Sequence, residues 1–404
     1  MILKLAWRNI WRNKQRSFIT MASVFFAVIL SIVMNSIQIG VFDNLINNVV
    51  GYYSGHIQVH KSGYWNEQLL DNGFIYNKQL ESEIIKNDKI RFFTPRLETF
   101  ALASTDSNTK GVMVIGTDTE KENQLTGLKN RVVSGLYFSP DDRAVLVAEV
   151  LAERLKVKVN DTVIIIGQGY HGTSAAGKYP VKGIVKFASP VLNEKMIYLP
   201  LREAQFLFNA DNILTSLAIS IENPGDLNIV TMELKKEING SYEVMSWEEM
   251  MPDIVQHLKS EEAEMVIISG ILYLIIAFGI FGTILMMSNE REYEFGVLVS
   301  IGMKKLKLGL VVIIETINIA VAGALFGITA SVPIVYYLAY NPIRFSGELA
   351  KIYQQFGFEP VIPASTSVSP FISQGATVFI IAVIISLYPL VKVYRLKPAE
   401  AIKK

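Results

Sequence analysis

A chain of 404 residues that is 50% hydrophobic and only 19% charged, with a mean hydropathy of +0.32, is too apolar for an ordinary soluble protein, so part of it belongs in lipid. Lys and Arg total 38 against 37 Asp and Glu, which leaves no global field to gather nucleic acid or an acidic substrate. The absence of cysteine excludes disulfides, thiolate nucleophiles, iron–sulfur clusters and cysteine zinc sites, and four histidines offer few other metal ligands.

The chain opens on a helical pattern. Leu3, Ala6, Trp7, Ile10 and Trp11 recur on one face while Lys4, Arg8 and Arg12 step by four along another, as in a helix lying at a membrane interface. A plain basic flank is the alternative, and Trp7 and Trp11 argue against it. Between Arg16 and Asp43 lie 26 uncharged residues. As a helix they extend about 39 Å, more than the roughly 30 Å hydrocarbon layer. Basic residues precede this span as they would a signal peptide, but its apolar core is long and no small-x-small cleavage site follows Met34. It therefore reads as a retained anchor.

From His56 to Ser246 the pattern changes to short strands and helices with turn residues between them, an α+β domain large enough for its own core. Expected strands are His56–Lys61, Arg91–Ala103, Gly111–Ile115, Ala144–Val147, Thr162–Ile166, Val181–Phe187 and Ser216–Ile221; expected helices are Glu149–Leu155, Leu201–Phe208 and Leu227–Lys236. Gly167-Gln168-Gly169-Tyr170-His171-Gly172 fits GxGxxG, but Pro180 and a new β-like run follow too soon for the helix that a pyrophosphate needs. Gly172 through Gly177-Lys178 begins like a phosphate loop and fails at Tyr179, where a hydroxyl for Mg²⁺ should stand. The segment reads as a glycine-rich hairpin tip, with Gly169, Tyr170, Gly172 and Lys178 as candidate contacts for a partner or cargo. His56 and His60 would lie about 13 Å apart along a strand, so a shared ion is not expected and a solvated strand face is. No Ser/His/Asp set or close carboxylate pair emerges from spacing, and Asp141-Asp142 after Ser139-Pro140 reads as a turn.

Ser246-Trp247-Glu248-Glu249 is a capping-box pattern, and Met250, Ile254, Val255 and Leu258 follow at helical spacing. Pro252 is expected to kink these turns or delay the regular helix. A second span of 25 uncharged residues lies between Glu264 and Glu290, a third from Lys307 to Arg344 is broken only by Glu315, and a fourth runs from Glu359 to Lys392. An ionised Glu315 costs several kcal/mol in lipid unless paired, so it should face protein. Four spans without a broken-helix pair disfavour secondary transport. Between spans two and three, acids at Glu290, Glu292 and Glu294 precede Phe295, Val297, Leu298 and Ile301, and Lys304 and Lys305 finish the segment. This suits a short surface helix whose apolar residues meet another protein or headgroups. Basic flanks before span one and after span four place both termini in the cytoplasm and the roughly 220 residues between spans one and two outside.

The residues Leu5-Ala6-Trp7-Arg8-Asn9-Ile10 with Arg12-Asn13, Ser54-Gly55-His56-Ile57-Gln58-Val59, the Glu290–Gly302 segment, Glu315 and Pro398-Ala399-Glu400-Ala401 resemble, over nearly the whole chain, the four-span permeases of ABC systems of the FtsX/MacB type, above all the lipoprotein-releasing permeases. The resemblance implies an α-helical membrane protein with four transmembrane helices and a large extracytoplasmic α+β domain inserted between the first two. It implies a cytoplasmic amphipathic helix at 1–17, span one and stalk at 18–45, the outer domain at 46–246, stalk and span two at 247–289, and a coupling loop at 290–306. Span three at 307–340, an outer loop at 341–370, span four at 371–392 and a cytoplasmic tail at 393–404 complete the expectation. Glu292, Glu294, Phe295, Gly296, Leu298 and Gly302 would then couple to a separate ATPase dimer that binds the ATP and Mg²⁺. Trp7, Arg8, Trp11 and Arg12 would rest on the inner leaflet. Further implied partners are a second permease copy or paralogue, a lipoprotein or other amphiphile as cargo, and a periplasmic carrier or adaptor. No cofactor or catalytic residue is expected in this chain. It carries no ATPase signature, and about sixteen residues precede span one, so the motor is expected in another chain. Peptide or drug export through an adaptor, signalling to an external enzyme, and a motorless sensor are the competing readings.

Overall fold

A computed structural model describes residues 2–12, 14–106, 108–238, 240–355 and 359–395. The expected Pro398–Ala401 motif and the end of the cytoplasmic tail lie outside the described residues. The chain divides into two compact units, one of Met1–Asp43, Leu258–Arg344 and Val361–Lys404, the other of Asn44–His257 and Phe345–Pro360.

In chain order, helix α1 (Ile2–Arg12) precedes α2 (Lys14–Val49), which ends in a π turn at Val50–Ser54. Strands β1 (Ile57–Lys61), β2 (Phe74–Ile75), β3 (Ile90–Ser104), β4 (Thr109–Thr117), β5 (Val132–Gly135), β6 (Val145–Ala148) and β7 (Thr162–Gln168) follow. They are joined by β8 (Ser174–Val185), β9 (Met196–Pro200), β10 (Ile213–Leu214), β11 (Ser216–Ile221) and β12 (Tyr242–Ser246). Among them sit α3 (Tyr64–Glu67), α4 (Lys78–Ile85), α5 (Thr119–Thr126), α6 (Glu149–Leu155), α7 (Pro190–Lys195), α8 (Leu201–Leu207), α9 (Leu227–Glu237) and α10 (Trp247–Met250). Then come α11 (Pro252–Glu290), α12 (Glu292–Ser300), α13 (Lys305–Tyr340), β13 (Ile343–Arg344), α14 (Glu348–Gln355), β14 (Val361–Ile362) and α15 (Ser369–Arg395).

In the α/β unit the main sheet closes on itself. β3 pairs β4, β4 pairs β9, β9 pairs β6, β6 pairs β8, β8 pairs β7, and β7 returns to β3. Closure removes most free edges. The inward residues follow the two-residue period: Leu97, Ala101 and Ala103 on β3, Val112 and Val114 on β4, and Val163 and Ile165 on β7 are buried in one core. Phe100, Leu102 and Ile166 alternate outward. Gly116 lets α8 sit close on β4, because a Cβ there would come within 2.2 Å of the Ala204 Cβ. Beyond the barrel, β3 continues alone against β11, and β11, β1 and β12 extend the sheet. The strands that enter and leave the domain, β1 and β12, thus lie side by side and antiparallel.

Among the described residues, four helices are long and apolar enough to cross a membrane, within Ser17–Ser54, Pro252–Glu290, Lys305–Tyr340 and Ser369–Arg395. α13 is the most enclosed. Its buried residues Val312, Glu315, Thr316, Ile319, Ala320, Gly323, Ala324 and Gly327 form a stripe at three- and four-residue spacing. A Cβ on Gly323 would come within 2.8 Å of the Met21 carbonyl oxygen, and one on Gly327 within 2.9 Å of the Val28 Cβ, so the two glycines admit α2 at close range.

Several expectations are revised. The Ser246 capping box forms, with Ser246 and Glu249 bonding each other's backbone amides, but it caps only the single turn α10. The chain then breaks at Met251 and Pro252 opens a new helix, where its missing N–H costs nothing. Strands β5, β9 and β12 were not expected. β8 begins at Ser174, seven residues earlier than its apolar pattern suggests, because pairing with β7 extends it through the glycine- and alanine-rich stretch. His60 does not line a solvated face: it is fully buried, stacks on Tyr64 at 5.2 Å and shares a 2.8 Å hydrogen bond with Gln58. Burial holds its pKa down at about 3.

Candidate functional site

The segment between α11 and α13 is an elbow, a short helix and a second elbow. Arg291 leaves helical geometry (φ −95°, ψ 8°) and its carbonyl accepts the Phe295 N–H at 2.8 Å, starting α12. Glu292 and Glu294 occupy the first turn, where the helix dipole favours acids. The helix ends in a glycine turn: Gly302 sits at φ +100°, which an L side chain rarely adopts, and Met303 N–H reaches back to Leu298 O at 3.0 Å.

The expected coupling residues divide into two groups. Phe295 is not exposed for a partner: it is 3% accessible and packs with Leu308, Val312 and Val393, and Gly296 is buried beside it. The reason is tertiary, since the start of α13 and the end of α15 cover that side of α12. Glu294 is engaged within the chain while staying partly exposed, pairing with Arg12 and lying 3.4 Å from Arg291 Nε. Outward stand Tyr293, Leu298, Ile301 and Gly302, with Ile301 75% accessible. Ile301 is among the apolar residues expected to meet a partner, whereas Tyr293 as an outward residue is legible only once the buried side of α12 is known.

Glu315, ten residues into α13, is fully buried. Arg291 Nη1 donates to its two oxygens at 3.1 and 2.9 Å, and Asn9 Nδ2 donates at 3.5 Å. Its partner came from outside the span, which sequence spacing alone did not indicate.

On α1, Trp7 and Trp11 are more than half exposed and meet edge-to-face at 6.2 Å, with Arg8 and Arg12 exposed on the adjoining face. Ala6 is buried and Asn9 faces Glu315. The helix thus keeps a small, polar side for protein and an aromatic side for its surroundings. The side chains of Leu3 and Lys4 lie outside the described residues.

In the hairpin β7–β8 the tip contracts to residues 169–173. Gly169 N–H donates to Thr173 O at 2.7 Å, Tyr170 N–H to Phe208 O at 2.8 Å, and His171 N–H to Asp71 Oδ1 at 2.6 Å. Gly169, Tyr170 and Gly172 lie on this tethered tip, and Gly172 takes φ +74°. Lys178 does not: it is inside β8, paired with Ile164. The tip carries one turn at Tyr170–Gly172 and no helix opens there for a phosphate.

Sequence reasoning missed one polar cluster. Arg96, fully buried, donates through Nε and Nη2 to Glu122 at 2.8 and 2.7 Å and through Nη1 to the Tyr53 carbonyl oxygen at 2.6 Å. Glu98 lies 3.4 Å from Arg96 Nη1 and accepts from Tyr53 Oη at 3.1 Å. Burial pushes the Glu98 carboxyl pKa upward, against the lowering effect of Arg96. Residues 26 apart in the chain gave no local signal for this pair. The cluster joins the π turn that ends α2 to the barrel, and it leaves no open site for a reacting group.

The FtsX-like permease C-terminal family model matches residues 266–398, and the MacB-like periplasmic core domain model matches 17–237, more than half of the chain. The chain is similar to "Lipoprotein-releasing system transmembrane protein LolC" of Xylella fastidiosa, 20% identical over 76% of each chain. The LolC protein of Neisseria meningitidis serogroup B is 20% identical over 97% of this chain and 95% of its own. Among solved structures, the periplasmic region of MacB from Actinobacillus actinomycetemcomitans is 12% identical and covers 53% of this chain and 95% of its own, with a TM-score of 0.35. With both family models matched in chain order, one of them over more than half of the chain, the chain belongs to the FtsX/MacB-type permeases of ABC transporters.

Proposed function

We propose that this permease works by mechanotransmission: a separate ATPase dimer docks on α12 from the cytoplasm, binds the ATP and Mg²⁺, and drives movement of the α/β domain on the outer side of the cytoplasmic membrane. The cargo is a lipoprotein, extracted from the outer leaflet, and two permease copies, identical or paralogous, flank the motor. Both termini are cytoplasmic, and α1 lies on the inner leaflet through Trp7, Trp11, Arg8 and Arg12. The observation that carries the docking face is the division of α12, whose Phe295 side is held by α13 and α15 while Tyr293, Leu298 and Ile301 point outward. The lipoprotein cargo is supported by relatives bearing that name at 20% identity. The hairpin tip at Gly169, Tyr170 and Gly172 is the proposed contact for a periplasmic carrier.

The MacB-like match over 17–237 favours a second reading, export of peptides or drugs through an adaptor. Capture of the complex from its native membrane tests the docking face. Ile301→Asp should abolish co-purification of an ATPase while the permease stays folded, and unchanged capture would sink the assignment. Depletion of the permease separates the cargoes: misplaced lipoproteins support the first reading, and correctly placed lipoproteins with sensitivity to a toxic peptide support the second.

A further inference from the structure

The bend between α11 and α12 is where displacement of α12 would be absorbed if the chain were free to flex there. It is not free. Arg291, the residue at the bend, buries its side chain to 8% accessibility and places Nη1 between both oxygens of the fully buried Glu315 on α13. Its Nε lies 3.4 Å from Glu294 on α12, and its guanidinium sits 5.5 Å from the Phe295 ring. From the other side, α1 contributes Asn9 to Glu315 and Arg12 to Glu294. Two cations, two carboxylates and one amide from α1, the bend, α12 and α13 therefore form one connected network. Phe295 adds an apolar staple to Leu308 and Val312 of α13.

Arg291 lies on none of the faces assigned above to a partner. We propose that Arg291 is a positioning residue that registers α12 against α13 and α1, so that the three helices move as one body. Separating Arg291 from Glu315 would strand a carboxylate in an enclosed site, a strongly unfavourable event, whereas the exposed Arg12–Glu294 pair can open at little cost. Motion imposed on α12 is thus delivered to α13, and through Asn9 to α1, instead of being lost at the bend. The delivery of ATPase motion rests on the function proposed above; the register of the three helices does not.

The test uses the full-length permease in lipid nanodiscs, read by amide hydrogen exchange. Arg291→Met should make the α12 amides of Phe295–Ile301 exchange at least about tenfold faster, with the middle of α13 and the barrel strands unchanged. Arg291→Lys should fall between, since it keeps the charge and loses the fork. Glu315→Gln should loosen α12 as well, although it lies on a different helix, which a local defect at the bend would not produce. Unchanged α12 exchange in Arg291→Met overturns the proposal, as does an equal rise throughout α13, which would mark general loss of fold. The same variants in the ATPase-loaded complex should release less cargo per ATP hydrolysed. If the wild-type protein shows no dependence on an ATPase, the functional reading fails and the exchange experiment still decides the junction. If Arg291→Met loosens α12 yet keeps the wild-type ratio of release to hydrolysis, transmission through the junction is overturned.

Discussion

Charged side chains inside this protein are held by named partners, and their energetics follow from burial. Arg96 is enclosed with Glu122 and Glu98; Glu122 takes two of its N–H groups, while Glu98 lies farther off and burial raises its carboxyl pKa. Glu122→Gln should therefore cost about 3–5 kcal/mol in denaturant unfolding followed at β3, because it strands the guanidinium. Glu98→Gln, which leaves the two-bond Arg96–Glu122 pair in place, should cost less. Equal losses would contradict this ranking. His60 carries a pH signature: burial holds its pKa down at about 3, against roughly 6.5 in the unfolded chain. Between those values the unfolded chain binds the extra proton. The contribution of His60 to stability is full above about pH 6.5 and declines by about 1.4 kcal/mol per unit as the pH falls towards 3. Hydrogen exchange of β1 at pH 7 and pH 5 should show this loss, and His60→Gln should flatten it.

At the scale of elements, the close contacts are made by small residues and by backbone. Gly323 and Gly327 let α13 approach α2, so Gly323→Leu should lower the thermal midpoint of the detergent-solubilised protein, whereas Leu325→Ala on the exposed side of α13 should not. The hairpin tip is tethered by backbone amides. Asp71→Ala removes the acceptor for His171 N–H and should speed exchange at His171 by about tenfold, with β7 and β8 unaffected. A loss of the whole hairpin would show the tether to be structural for the strands. These elements were unequally legible in the chain. β11 and α6 match their sequence-derived bounds, because alternation and helical periodicity are carried within the segments themselves. β8 was half missed, since Ala175, Ala176 and Gly177 have little strand preference and are extended only by their pairing with β7.

For the molecule as a whole, the α/β unit has its own closed core, so a fragment of residues 44–257 should fold alone and unfold cooperatively, without the outlying 345–360 segment. Gradual melting of the fragment would show that the core depends on the remaining chain. The four long apolar helices, the basic amphipathic start, the presence of a large α/β domain and the lack of thiol chemistry were determined by the sequence alone, because hydropathy, charge and composition are properties of contiguous residues. Barrel closure through β7, the burial of His60 and Phe295, the pairing of Glu294 with Arg12, and the Arg96 and Arg291 networks were decided only by tertiary structure. Each depends on which distant segment covers a given face: the same phenylalanine is a docking contact when solvent meets it and a core residue when α13 and α15 do.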